Sequence, residues 1–223
     1  ELAALPREII PAVGCTPYLR PLINGWIGQQ RPWIYWDRGY ARRVFATWMG
    51  RGWNGGFYRW HLNGYQMQRI NKYAADRWNV LDVPLSPWAV HPKGHIVVAL
   101  SSQTYEAFHE IKGWGDRTIR ALSRLTDRQL VIRDKETKRP LQADLAGAYC
   151  MVAHGSIAAV ESIFCGCPVV VDKSSAAALV GVVGLERLEH VRYPDRGPWV
   201  NALAYSQFNE TELVDGTLWQ WIS

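Results

Sequence analysis

From residue 94 onward the chain repeats one pattern: a short apolar run, a turn of small polar residues, then apolar positions at helical spacing. Gly94–Leu100 opens the series and runs into Ser101-Ser102-Gln103-Thr104, with a helix expected to start at Tyr105. Ile119, Leu122 and Leu125 predict a helix over Asp116–Leu125, begun by an acidic cap. Gln129–Ile132 reads as the next strand, Leu141–Ala146 as a short helix and Cys150–Ala153 as a third strand. A helix over Ile157–Phe164 and a β-branched run at Cys167–Val171 follow, and Ser174-Ser175 can cap a small helix through Leu179. Strands that alternate with helices and are apolar throughout predict a parallel sheet covered on both faces.

The first part is patterned differently. A weak helix before Pro11 gives way to a Pro- and Gly-punctuated passage, and Arg31–Trp36 then reads as a strand ending at Asp37-Arg38-Gly39-Tyr40. The turn dipeptides Asn54-Gly55 and Asn63-Gly64 flank a second strand at Phe57–Leu62. Pro84, Pro87 and Pro92 break regular structure and suit a linker, so the chain divides into residues 1–92, 93–198 and a tail at 199–223. Two helices are expected in Trp199–Trp221, the second capped near Asn209, with Trp199, Tyr205, Phe208, Trp219 and Trp221 as packing aromatics.

Composition sharpens that division. The 223 residues carry a net charge of +5, of which residues 1–92 hold +6 and the remainder −1. Eight of the 12 tryptophans also fall in the first part. Basic residues interleaved with aromatics can hold a phosphate backbone and stack on bases, or the tryptophans can fill a small core while the arginines keep the surface wet. No apolar run reaches membrane-spanning length, and no signal peptide is expected. The chain starts at Glu1 rather than Met, and trimming or processing at that end is expected. Cys15, Cys150, Cys165 and Cys167 have no zinc-site spacing, and reduced thiols in a cytoplasmic setting fit them best.

The candidate chemistry gathers at turns. In an open parallel sheet, ligands bind beyond the carboxyl ends of the strands. His154-Gly155-Ser156 lies there, with Gly155 allowing close backbone approach and Ser156 able to cap a helix whose N-terminus favours a phosphate. Ser101, Ser102 and Gln103 occupy the matching turn after the first strand, and Arg133 and Lys135 follow the second, where they could neutralise a diphosphate or simply belong to a solvated charge run. Asp37, at a strand end, is the candidate general base, with pairing to Arg38, Arg42 or Arg43 as the structural alternative. Arg59, His61 and Asn63 can hydrogen-bond in a binding loop and Trp60 can stack.

Glu161, Gly166 and Pro168 form an E-x-x-x-x-G-x-P ending after the His154-Gly155 turn. With Trp36–Tyr40 (WDRGY), Tyr58–Gln66 (YRWHLNGYQ) and the Trp199–Ile222 tail, this resembles bacteriophage-encoded glycosyltransferases of the two-domain GT-B architecture. His154 to Glu161 is one residue shorter than the common H-G-G-x-x-S-x-x-E spacing. The resemblance implies two Rossmann-like halves with parallel sheets, the donor half C-terminal, and tail helices that cross back to the first half. It implies a nucleotide-sugar co-substrate, a UDP-sugar by preference, with no further cofactor and no metal. Ser101, Ser102, Gln103, Arg133, Lys135, His154, Gly155, Ser156 and Glu161 would then face the donor. Asp37 would activate the acceptor hydroxyl, and Arg38, Arg59, Trp60, His61 and Asn63 would hold the acceptor. Phage resemblance and basic charge together favour a hydroxylated base in DNA, inside an infected bacterium, with a polysaccharide or cell-surface glycan as alternative. A DNA-binding module without chemistry, or another nucleotide-using enzyme such as an epimerase or phosphotransferase, are the readings from other classes. No G-x-x-x-x-G-K-[ST] loop supports a P-loop enzyme.

Overall fold

The computed structural model describes residues 10–42 and 56–221. The second half is built on five parallel strands, β4 (His95–Ala99), β5 (Leu130–Arg133), β6 (Ala148–Ala153), β7 (Val169–Val171) and β8 (Val182–Val183). Their order is β5-β4-β6-β7-β8, a Rossmann-like, doubly wound sheet whose connections diverge between β4 and β6. Alternation along the strands explains how both faces are buried. Val97, Met151 and Val169 pack on one face with Ile163 of α6 (Ile157–Phe164) and Leu145 of α5 (Leu141–Leu145). Ile96, Cys150 and Val170 pack on the other with Leu122 of α4 (Trp114–Leu125). A strand buried on both sides needs no polar positions, which is why these runs read as continuous apolar sequence. Helix α4 starts two residues before the expected acidic cap, because Gly113 at its N-cap takes the left-handed conformation.

The first half departs from the expectation of a second parallel sheet. Its four strands run β1 (Ala12–Val13), β2 (Ile34–Arg38), β3 (Tyr58–Leu62) and β9 (Gln207–Phe208). Only β1 and β2 are parallel; β3 is antiparallel to both β2 and β9. Strand β3 takes β2 on one side and the tail strand β9 on the other, and this antiparallel pairing on both sides sets the sheet apart from the one built of parallel crossovers. The expected helix before Pro11 and the Asn54-Gly55 turn lie outside the described residues. Strand β2 also begins and ends later than expected, which places Asp37 inside it rather than beyond its end.

The tail is not two plain helices. Helix α7 (Gly197–Ala204) packs on the second-half core through the fully buried Trp199, whose Nε1 donates to the Ala176 carbonyl at 3.0 Å. The chain then enters β9 before α8 (Glu210–Val214), where Asn209 and Glu212 form a capping box. Gln207 of β9 is buried and its Oε1 accepts from the backbone N–H groups of Tyr40 and Ala41 at 2.8 and 3.0 Å. Helix α1 (Arg20–Gly28), which the punctuated sequence did not suggest, fills the third core with Ile23 and Trp26. Phe108, from α3 (Gln103–Phe108) of the second half, is buried in that same core. Each half therefore contributes an element to the other.

Candidate functional site

Strands β4 and β6 are neighbours, so the turns that follow them meet at the point where the connections diverge. After β4, Ser102 caps α3, its side chain accepting from the Tyr105 N–H at 3.2 Å. After β6, Ser156 caps α6 in the same way, accepting from the Ala158 N–H at 3.2 Å. The Ser101 hydroxyl is buried with no hydrogen-bond partner. A third turn follows β7, where the Asp172 carboxylate accepts from the Ser174 N–H and hydroxyl at 2.8 and 2.6 Å. Burial opposes the charge of Asp172, and those hydrogen bonds outweigh it, so the group stays ionised below the usual carboxylate range.

His154 is buried at the centre of these turns, its Nδ1 3.2 Å from the Tyr105 hydroxyl. The rings of His109 and Trp114 lie 6.2 and 5.9 Å from its own. Burial holds the imidazole below its ordinary value against the pull of Asp172 and Glu106, so it is neutral. A Cβ on Gly155 would collide with the Tyr105 hydroxyl. That is the physical reason for glycine in this turn, since its φ is not of the left-handed kind.

The first half closes over this edge. Gln66 is buried, and its carboxamide donates to the Gly155 carbonyl at 2.6 Å while accepting from the Ala176 N–H at 2.8 Å. Nearby, Asp37 is paired with Arg59 at 2.8 Å and also accepts from the Tyr35 hydroxyl at 3.1 Å and the Arg38 N–H at 2.7 Å. Burial works against the charge of Arg59, but Asp37 together with the Tyr35 and Tyr40 hydroxyls outweighs it and keeps the guanidinium protonated. The charges of Asp37 and Arg59 act across the junction on Tyr105 and His109, and that of Lys135 acts on Cys15. Burial, with the charges of His154 and Arg20 adding to it, pushes His109 down to about 3.

The structure thus brings Asp37, Ser101, Ser102, His154, Gly155 and Ser156 to one junction. Two of the expected cations are engaged within the protein. Arg133 lies within the outer strand β5, with β4 between it and β6, and its guanidinium is bound to the buried Asp144 at 2.6 Å and to the Arg139 carbonyl. Arg59 is buried behind Asp37 rather than offered to an acceptor. Gln103 and Lys135 are exposed, Arg38 is exposed at the end of β2, and Glu161 is half-buried in the second turn of α6. Trp60, His61 and Asn63 line a separate cleft of about 400 Å³ between β3, the segment 62–73 and the tail. His61 is hydrogen-bonded to the Tyr40 hydroxyl at 2.8 Å and pushed down to about 3 by burial, helped by Arg59. The Asn63 carboxamide accepts from the Trp33 N–H at 3.0 Å, which fixes the turn.

Sequence reasoning missed Gln66, Tyr105 and Asp172. Tyr105 stood three residues after a recognised cap and Asp172 at the end of a recognised strand, so both were within reach of the pattern. Gln66 carries no such signal. Among the described residues no group of three or more His, Cys, Asp or Glu could hold a metal ion, and no helix is long and apolar enough to cross a membrane. Comparison with models of known protein families found no match, and comparison with curated proteins found none either.

Proposed function

We propose that the protein is a glycosyltransferase that takes its sugar from a nucleotide-sugar, a UDP-sugar in the first instance. The observation that carries this reading is the convergence of two serine-capped turns at the divergence point of a doubly wound sheet, with a side chain of the other half reaching over them. In this reading the donor diphosphate lies along Ser101, Ser102 and the His154–Ser156 turn. Hydroxyls, free backbone N–H groups and the positive end of α6 would stabilise the leaving group there. Neutral His154 and the Tyr105 hydroxyl supply donors that add no charge. Asp37, oriented by Arg59, Tyr35 and the Arg38 N–H, is the group that accepts the proton of the attacking hydroxyl.

A thermal-shift screen against UDP, GDP, ADP, CMP and their sugars tests this. A ligand at a hundred times its Kd stabilises the folded chain by about 2.7 kcal/mol. One nucleotide family should raise the melting temperature, and His154→Ala should abolish the rise. Failure of every nucleotide to shift the transition would remove the glycosyltransferase reading.

A further inference from the structure

The cleft behind the junction bears on the acceptor, in an inference that rests on the glycosyltransferase reading. Tyr73 and Tyr205 stack in its wall with ring centroids 4.4 Å apart and planes 7° from parallel, and Trp221 sets its edge on Tyr205 at 4.8 Å. On the opposite wall stands Trp60, whose indole Nε1 is buried without a hydrogen-bond partner. Trp60 stacks in turn on Trp36 at 6.0 Å, and Trp36 meets Tyr58 edge-on at 5.6 Å, so the aromatic track continues along the outer face of β2 and β3.

Between the aromatics the lining carries the carboxamides of Asn63, Gln68 and Asn71, with Gln66 buried behind them. Among the described residues that line the cleft, Arg69 is the one Lys or Arg and there is no Asp or Glu, while Arg77, over the Tyr205 ring at 5.4 Å, is bound to Glu212. Where the track reaches Tyr58, Arg38 and Glu210 act on it with opposite signs. A nucleic-acid track needs a row of free cations beside its stacking rings; among the described residues this one offers Arg69, while Arg77 is bound to Glu212 and Arg38 is offset by Glu210. Rings that take the apolar faces of pyranoses, with amides to read their hydroxyls, fit a neutral saccharide. The cleft also adjoins the donor edge. Gln66 lines it and bonds Gly155, and Gln68 lines it and donates to the Ser174 carbonyl at 2.9 Å.

We propose that this cleft binds a neutral oligosaccharide as the acceptor, laid along Trp60, Tyr73 and Trp221, with the buried Tyr205 backing Tyr73. The full chain would be titrated with hexaoses of glucose, galactose, mannose and N-acetylglucosamine, following tryptophan fluorescence, with a thymidine dodecanucleotide as comparator. At least one hexaose should bind with an affinity indifferent to salt. Trp221→Ala, at a side chain 41% exposed, and Trp60→Ala should each weaken that binding about five- to tenfold. Both variants should keep the nucleotide-induced thermal shift. Binding of no hexaose, or binding that both variants leave unchanged, overturns the proposal, as does tight dodecanucleotide binding that falls steeply with salt. Hexaose binding in a protein that no nucleotide stabilises would leave the cleft assigned and remove the glycosyltransferase reading instead.

Discussion

The two sheets of this protein are held together by different means. In the parallel sheet the inner strands are covered on both faces mostly by aliphatic side chains. In the mixed sheet, aromatic rings and buried polar groups share the work. Arg59 lies against the Tyr35 and Tyr40 rings, Tyr40 bonds His61 and the Met67 N–H, and Gln207 satisfies the backbone at Tyr40 and Ala41. An aliphatic core tolerates exchange among residues of similar volume. A network of buried polar groups does not, because each partner removed leaves another unsatisfied. Sensitivity to single polar changes should therefore be concentrated in the first half and at the junction, and sensitivity to lost volume in the second.

The largest expected effect sits where the tail meets the second-half core. Trp199→Ala removes a fully buried indole together with its bond to Ala176 and should cost about 3–5 kcal/mol in chemical denaturation. A loss below about 1 kcal/mol would mean that the aliphatic core does not depend on α7. Next comes Gln66→Leu, similar in size but unable to bond, which strands the Gly155 carbonyl and the Ala176 N–H. A destabilisation of about 2 kcal/mol is expected. Tryptophan fluorescence, weighted to the first half, should then part from far-ultraviolet dichroism, as the halves begin to unfold separately. Transitions that stay coincident would show that Gln66 is not what couples them.

A pH dependence is expected as well. His61 and His109 are pushed down to about 3 in the folded protein, and His154 is lowered as well, while an unfolded imidazole takes its proton near 6.5. Below about 6.5 the unfolded chain binds more protons, so stability present at neutral pH is lost progressively as pH falls toward 3. The melting temperature should decline between about pH 6.5 and 4.5, above the range of ordinary carboxylates, and His109→Gln should flatten the decline. A melting temperature constant across that interval would contradict neutral, buried imidazoles at the junction.

The contrast between the sheets also explains what could be read from the residues alone. A run such as Ile96-Val97-Val98-Ala99 has one comfortable environment, and the small polar turn after it follows from the geometry of a parallel sheet, so the carboxyl edge was visible at Ser102 and at His154. The mixed sheet is assembled from pieces distant in sequence. Nothing near Gln207 announces that its amide is required at residues 40 and 41, and a two-residue strand is too short to show a period. Arg133 and Arg59 were read as free cations because charge is visible in sequence while its partner is not. Asp144 lies eleven positions beyond Arg133 and Asp37 lies across a strand pair from Arg59.

The pairing of β9 with β3 makes the second half an insertion within the first, for residues 93–198 emerge between two strands of one sheet. During synthesis the parallel sheet, complete by Val183, can form while the mixed sheet still waits for the strand at Gln207–Phe208. The half that begins later would thus finish earlier, and the cleft, walled by Tyr205 and Phe208, would take shape only after the parallel sheet is complete.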